Sequence, residues 1–299
     1  MSLGLAALAL AVGLEFAVGE PPTRAHPVAW FGRAVGRADR EWTRPRATGL
    51  AVALFLPAVA AGAVGAAVAV ALLVHPFAGV LAAGLALFVS TSLRMLLETA
   101  RTVIGETERD LASARESVLA LAGRDAEALS AGEIRSAATE SAAENLADGL
   151  VAPLFAFALL APLSLSLAAG GAVWVKAVNT LDSMLGYPEK THGTASARLD
   201  DFVMWLPARV SAALLALGAS QPRALRQARE WADAPPSPNS GWPMATLAAV
   251  LDCRLEKPGV YVLNPSKGLP TVEEARRGVR IVALSGALSY LLAGAILWF

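Results

Sequence analysis

Two polar stretches of this chain hold more ionisable and amide groups than folding alone requires. They are Thr139-Glu140-Ser141-Ala142-Ala143-Glu144-Asn145 and Ser196-Ala197-Arg198-Leu199-Asp200-Asp201, and both adjoin apolar runs of bilayer length. On a helix, Glu140, Glu144 and Asp148 stand at i, i+4 and i+8 and share one face. A solvated acidic stripe is the bland reading. Against it, like charges at that spacing repel and lie toward the negative end of the helix macrodipole, and a cation would relieve both penalties. Lys176, Asn179, Thr180 and Ser183 share a second face, with Asp182 beside them. That face either turns to water or offers a lysine with amide and hydroxyl donors to polyphosphate. Arg198 precedes the pair Asp200-Asp201, where Asp201 could cap a helix starting near Phe202, or the pair could hold Mg²⁺ while the arginine takes phosphate oxygens. The stretch Ser237-Pro238-Asn239-Ser240-Gly241-Trp242-Pro243-Met244 reads as a linker or as a binding loop. Glycine-rich P-loop, GxSxG and HExxH motifs are absent from the sequence.

Composition says where such groups must work. Of 299 residues, 55% are hydrophobic and 17% charged, and mean hydropathy is +0.51. That balance leaves too little polar surface to cover a soluble globule of this length. Net charge is zero with both signs interspersed, which argues against nucleic acid as a partner. The single cysteine, Cys253, excludes an intrachain disulfide and reads as a buried structural thiol.

The expected fold class is therefore all-α: a polytopic integral membrane protein with four to six membrane helices plus cytoplasm-facing polar helices and loops. Runs near 2–18, 49–74, 77–97 and 279–299 suit a hydrocarbon core that takes about 20 helical residues. The middle pair, split only by His75-Pro76, reads as a tight helical hairpin in which Gly62, Gly65, Gly79 and Gly84 allow close approach. Residues 149–175 are interrupted by Pro153, Pro162 and Gly170-Gly171 and suit a broken or re-entrant element, whereas 202–220 reads equally as an interfacial helix. The arginines of 19–47 assign that connection to the cytoplasm. Polar segments 98–148, 176–201 and 221–278 then follow on the same side of one membrane-embedded domain spanning 1–299. Ser130-Ala131-Gly132-Glu133 predicts a capping box opening a helix over 131–147, with Gly149 as its stop. A second helix is expected over 172–185, ending at Gly186, and 233–243 reads as a loop.

Ordered motifs along nearly the whole chain resemble the membrane-bound CbiB/CobD adenosylcobinamide-phosphate synthases of cobalamin biosynthesis. They are Gly19-Glu20-Pro21-Pro22 with His26-Pro27-Val28; Arg124-Asp125 through Glu133-Ile134; Thr139 to Asn145 with Asp148-Gly149; Ala152 to Phe155; Lys176 to Met184 with Gly186-Tyr187; Ser196 to Asp201; Leu206 to Arg209; Ser237 to Met244; and Leu255 to Gly259. Departures are Glu20 where the family has Asp, His192-Gly193-Thr194 where it has an aromatic-rich stretch, and Met204 where it has Asn.

The resemblance implies an ATP- and Mg²⁺-dependent ligase. It would join the propionate carboxylate of adenosylcobyric acid to (R)-1-amino-2-propanol or its O-phosphate, giving adenosylcobinamide or its phosphate. On that reading Glu140, Glu144, Asp148, Asp200 and Asp201 hold Mg²⁺, and Lys176, Arg198 and Arg209 contact phosphates. Asn145, Asn179 and Asp182 position substrate or deprotonate the amine, while Asn239, Ser240 and Trp242 close over the corrin. The site faces the cytoplasm, where ATP is, in a multi-pass protein of the cell membrane. The lipid bilayer, other late cobalamin-pathway membrane enzymes and a second copy of the chain are its further expected partners. The rival readings are a transporter or binding protein for a corrinoid or other anion, which broken helices also suit, and a non-catalytic AmpE-like regulator.

Overall fold

A computed structural model describes residues 2–119, 121 and 127–298; the Arg124-Asp125 motif lies outside them. In chain order the helices are α1 (Leu3–Ala17), α2 (Pro27–Ala38), α3 (Pro45–Val74), α4 (Pro76–Ser90), α5 (Arg94–Glu106), α6 (Leu111–Val118), α7 (Ala131–Leu146), α8 (Ala152–Leu160) and α9 (Leu165–Leu185). These are followed by α10 (Thr194–Val203), α11 (Trp205–Gly218), α12 (Ala224–Ala228), α13 (Gly241–Leu251) and α14 (Val272–Trp298). The fold is helical as expected, with one addition: an antiparallel hairpin of β1 (Leu255–Lys257) and β2 (Tyr261–Leu263). Gly259, at φ 73°, supplies its left-handed turn residue.

Among the described residues, Pro45–Val74, Pro76–Glu106, Ala131–Leu160 and Val272–Trp298 are long and apolar enough to cross a membrane. The α10–α11 pair, bent by 47°, makes a fifth if taken as one span. The expected first span is a different object: α1 has 15 residues, about 22 Å of helix against a hydrocarbon core of about 30 Å.

The chain divides into two compact units, each assembled from separated segments. The first comprises Met1–Ser92, Asp148–Met204 and Tyr290–Phe299, and the second Leu93–Ala147 and Trp205–Ser289.

In the first unit α3, α4 and α9 pack on one another, α1 lies against α4, and α10 against α3 and α9. His75 makes the α3–α4 turn as predicted, ending one helix and capping the next through Phe77 N–H to Nδ1 at 3.1 Å. A Cβ on Gly79 would clash with Leu72 and one on Gly84 would meet Leu10 of α1 at 2.7 Å, whereas Gly62 has open space around it. Gly62 thus carries none of the close packing expected of it.

Residues 149–175 become a hairpin of α8 and α9 turning at Ala161–Ser164. Gly170-Gly171 does not break α9. It lets α9 approach its neighbours, since a Cβ on Gly170 would meet Ala61 O at 3.0 Å and one on Gly171 would clash with Leu160. α9 consequently starts before the expected 172 and ends, as predicted, at Gly186.

Gly149 is not a stop either. The helix widens into a π-turn over Ala147–Val151 and continues as α8. Pro153 has no N–H to offer the Gly149 carbonyl four residues back. The Ser92 N–H takes that carbonyl instead at 2.8 Å.

The second unit is built on α7, which packs against α5, α6, α13 and β1. The predicted capping box opens it: Ser130 Oγ accepts from Glu133 N–H at 3.3 Å, and Glu133 accepts from Ser130 N–H at 2.7 Å. The alanine-rich sequence of α7 buries Ser136, Thr139, Glu140 and Ser141 along with its apolar residues. An acidic stripe open to water is therefore not what Glu140 belongs to.

Candidate functional site

In the first unit the polar residues converge on Asn179. Its amide donates to Asp148 Oδ2 at 3.1 Å and also bonds Asp200. Asp148, Asp182 and Asp201 all bear electrostatically on Asp200, and Lys176 faces both Asp148 and Glu20. The pieces come from the π-turn (Asp148), α9 (Lys176, Asn179, Asp182), α10 (Asp200, Asp201) and the loop before α2 (Glu20). Helical spacing explains the α9 contribution, because residues three and six apart remain near one face. Thr180 and Ser183 do not join it: each hydroxyl donates back to the carbonyl four residues before, at 2.8 Å.

The electrostatics of this cluster are unbalanced. Carboxylates that crowd together away from water disfavour one another's charged forms. Burial, and then the Asp201 carboxylate, push Asp182 up to about 6. Asp200 Oδ1 and, one turn earlier on α10, Ser196 Oγ are buried without a hydrogen-bond partner among the described residues. A buried acceptor left unmatched costs about 1–3 kcal/mol, so the cluster is less well satisfied by the chain's own donors than an ordinary buried polar group. Neither Asp200 nor Asp201 caps a helix, because both lie within α10. Arg198, on the same helix, is exposed and makes no ion pair among the described residues.

The second unit holds the remaining sequence-predicted residues; around Glu140 the polar groups satisfy one another, while Trp242 Nε1 is buried without a hydrogen-bond partner among the described residues. Glu140, 1% exposed, accepts from Ser136 Oγ at 2.6 Å and from Tyr261 OH at 2.5 Å. Ser136 Oγ in turn accepts from Glu256 N–H at 2.7 Å. This chain of bonds ties both strands of the hairpin to α7. Half-buried Glu144 and Asn145 lie on the last turn of α7, where Asn145 donates to the Ser141 carbonyl at 3.0 Å.

Arg209 lies between the rings of Trp205 and Trp242, at 4.7 and 5.2 Å. It donates to Asn239 Oδ1 at 2.7 Å, Trp205 O at 2.9 Å and Pro238 O at 3.4 Å. Ser237 Oγ accepts from Asn239 N–H at 3.3 Å and Ser240 N–H at 3.5 Å. The 237–240 segment is thus fastened to α11, and Trp242, Pro243 and Met244 belong to α13 rather than to a loop.

Glu140 and Glu144 stand in one unit and Asp148, Asp200 and Asp201 in the other. Among the described residues no three His, Cys, Asp or Glu side chains come together at metal-ligating separation. Glu20 and Ser196 were outside the candidate set, as was His26, whose Nε2 is 3.7 Å from Glu20. Their signal was membership of the quoted motifs, without a spacing that pointed to Lys176 or Asp200.

Comparisons with known proteins identify the family. The family model described as CobD/Cbib protein matches residues 8–291. A probable cobalamin biosynthesis protein CobD from Methanothrix thermoacetophila is 33% identical, covering 97% of this chain and 96% of its own. The corresponding protein of Methanothermobacter thermautotrophicus is 36% identical over 97% of both chains. A cobalamin biosynthesis protein CobD from Klebsiella pneumoniae is 35% identical over 93% of both. No solved structure matches. Full-length agreement with both the family model and these relatives makes this chain a member of the CobD/CbiB family of cobalamin biosynthesis proteins.

Proposed function

We propose that this chain is an ATP-dependent amide ligase that condenses the propionate carboxylate of adenosylcobyric acid with (R)-1-amino-2-propanol or its O-phosphate. The observation that carries the reading is the unbalanced carboxylate cluster around Asn179, with its unmatched Asp200 Oδ1 and its single lysine. A carboxylate is a poor electrophile, so its oxygen first attacks the terminal phosphorus of ATP, forming an acyl phosphate and releasing ADP. The amine then attacks the acyl carbon, the amide bond forms, and inorganic phosphate leaves. Catalysis of this kind is mostly positioning and charge neutralisation.

Asp148, Asp200 and Asp201 would hold Mg²⁺, which neutralises phosphate charge when bound. Mg²⁺ commonly takes one or two carboxylates, with substrate phosphates and water completing its shell, so the cluster meets the requirement without a third ligand at contact distance. Lys176 and Arg198 would meet phosphate oxygens, and Asn179 holds Asp148 and Asp200 in register. Asp182 would take the proton that the amine loses. Glu144, Asn145, Arg209, Asn239, Ser240 and Trp242 would act through contacts of their own with the substrates. Glu140 would enter only by exchanging its bonds to Ser136 and Tyr261. ATP places the working face on the cytoplasmic side of the cell membrane.

Membranes containing the protein, incubated with adenosylcobyric acid, ATP, Mg²⁺ and aminopropanol or its phosphate, test this. The expected result is an ATP-dependent amide product that Asp200→Ala abolishes; absence of product with either amine overturns the reading. The α8–α9 hairpin favours a second reading, corrinoid transport. Cysteines introduced at 179 and 200 and labelled from both faces of sealed vesicles would support it, whereas a ligase is labelled from one.

A further inference from the structure

A cavity of about 420 Å³ lies within the first unit among α2, α3, α4 and α9. Phe31, Val64, Leu85, Val89 and Val173 form much of its wall. Three polar residues also border it, two of them with hydroxyls bonded within their own helices. Thr180 Oγ1 donates to Lys176 O at 2.8 Å, Ser90 Oγ donates to Ala86 O at 2.7 Å, and the Lys176 ammonium is faced by the Asp148 and Glu20 carboxylates. Along the apolar wall a polar group would lose its hydration and gain no hydrogen bonds in return.

Protein interiors keep few voids larger than a water molecule, and apolar matter fills one of this size. The position of the cavity indicates which. Its α3 wall belongs to a candidate span that leaves Leu54, Phe55, Val59 and Val70 exposed, and its rim includes exposed Ala67 and Leu85. The cavity therefore opens along a face that meets hydrocarbon in the bilayer. We propose that it is a binding groove for one acyl chain of a membrane phospholipid, seated against the α9 turn that carries Lys176. This goes beyond the ligase reading and does not depend on it.

Reconstitution in nanodiscs with phosphatidylglycerol carrying a diazirine near the end of one acyl chain tests the groove, with crosslinks mapped by peptide mass spectrometry. Adducts are expected on Val28 and Val173, inside the groove, as well as on Leu54 and Phe55 of the outer face. Ala67→Phe at the rim and Ala82→Phe inside should each cut the inner adducts by about tenfold, as a modest steric loss of affinity does, and leave the outer ones unchanged. If Ala82→Phe fails to fold, the exposed Ala67→Phe decides. Wild-type protein without inner adducts, or inner adducts indifferent to filling, would overturn the proposal. Lipid extracted after detergent exchange should contain a stoichiometric phospholipid; an isoprenoid retained in its place also overturns it.

Discussion

The cluster around Asn179 and the network around Glu140 contain the same kinds of side chain and have opposite balance sheets. Glu140 is buried among hydroxyl donors that match its oxygens, and those donors pin a β-hairpin to α7. Asp200 is surrounded by other carboxylates, shares one amide with Asp148, and keeps an oxygen unmatched. A buried carboxyl with its partners in place holds the fold together; a carboxyl crowded by others is, on the ligase reading, where a ligand would bind. Burial alone does not separate the two roles, but the donors within reach do.

Four substitutions would break or sharpen this contrast. Asp200→Ala should lower ligase activity by about 10²-fold or more while thermal unfolding in detergent stays level or rises, because like-charge crowding is relieved. Glu140→Ala should do the reverse, losing about 2–3 kcal/mol of stability as Tyr261 OH and Ser136 lose their acceptor, with activity following the folded fraction. A Glu140→Ala protein that melts like wild type and yet is inactive would dissolve the distinction. Asp182, pushed up to about 6 by burial and by Asp201, is protonated below that pH. Its charge appears as pH rises through about 6, so activity should climb there, and Asp182→Asn should flatten the climb. The sign for folding is opposite: this group favours the native state below the ordinary value of 3.8, and that contribution is lost as pH rises through about 6. The smallest effect is expected for Arg209→Lys. It keeps the charge but loses the planar fork between Trp205 and Trp242, costing about 1 kcal/mol in unfolding measurements and leaving Asp200-dependent chemistry in place.

Much of the fold was legible because local signals govern it. Ser130 with Glu133, His75-Pro76 and Gly186 each mark a helix end through a hydrogen bond or dihedral set within a few residues. Gly149 and Gly170-Gly171 misled because a distant partner decides their roles: the Ser92 N–H in one case, the surfaces of Leu160 and Ala61 in the other. In the candidate site, Lys176 and Asn179 were readable from helical spacing, which set Asp182 only beside their face and wrongly added Thr180 and Ser183, and the acidic pair at 200–201 was readable from composition. Their association with Asp148 and Glu20 was not readable, since no periodicity relates a π-turn and an inter-helix loop to α9. The competing partner of Glu140, Tyr261, lies 121 positions away on a hairpin that three-residue strands hardly announce.

The π-turn at Ala147–Val151 has a consequence for how this protein can vary. Such a turn holds one residue more than regular helix, so the chain carries a built-in insertion beside Asp148. Deleting Gly149 would restore ordinary winding and leave the buried face of Leu154 and Phe157 near its present direction, whereas a deletion in the regular turns on either side would swing that face by about 100°. A single residue lost at 149–151 should therefore disturb packing less than one lost from the regular turns of α7 or α8, making this turn a slack point that a deletion scan would reveal as a narrow band of tolerance.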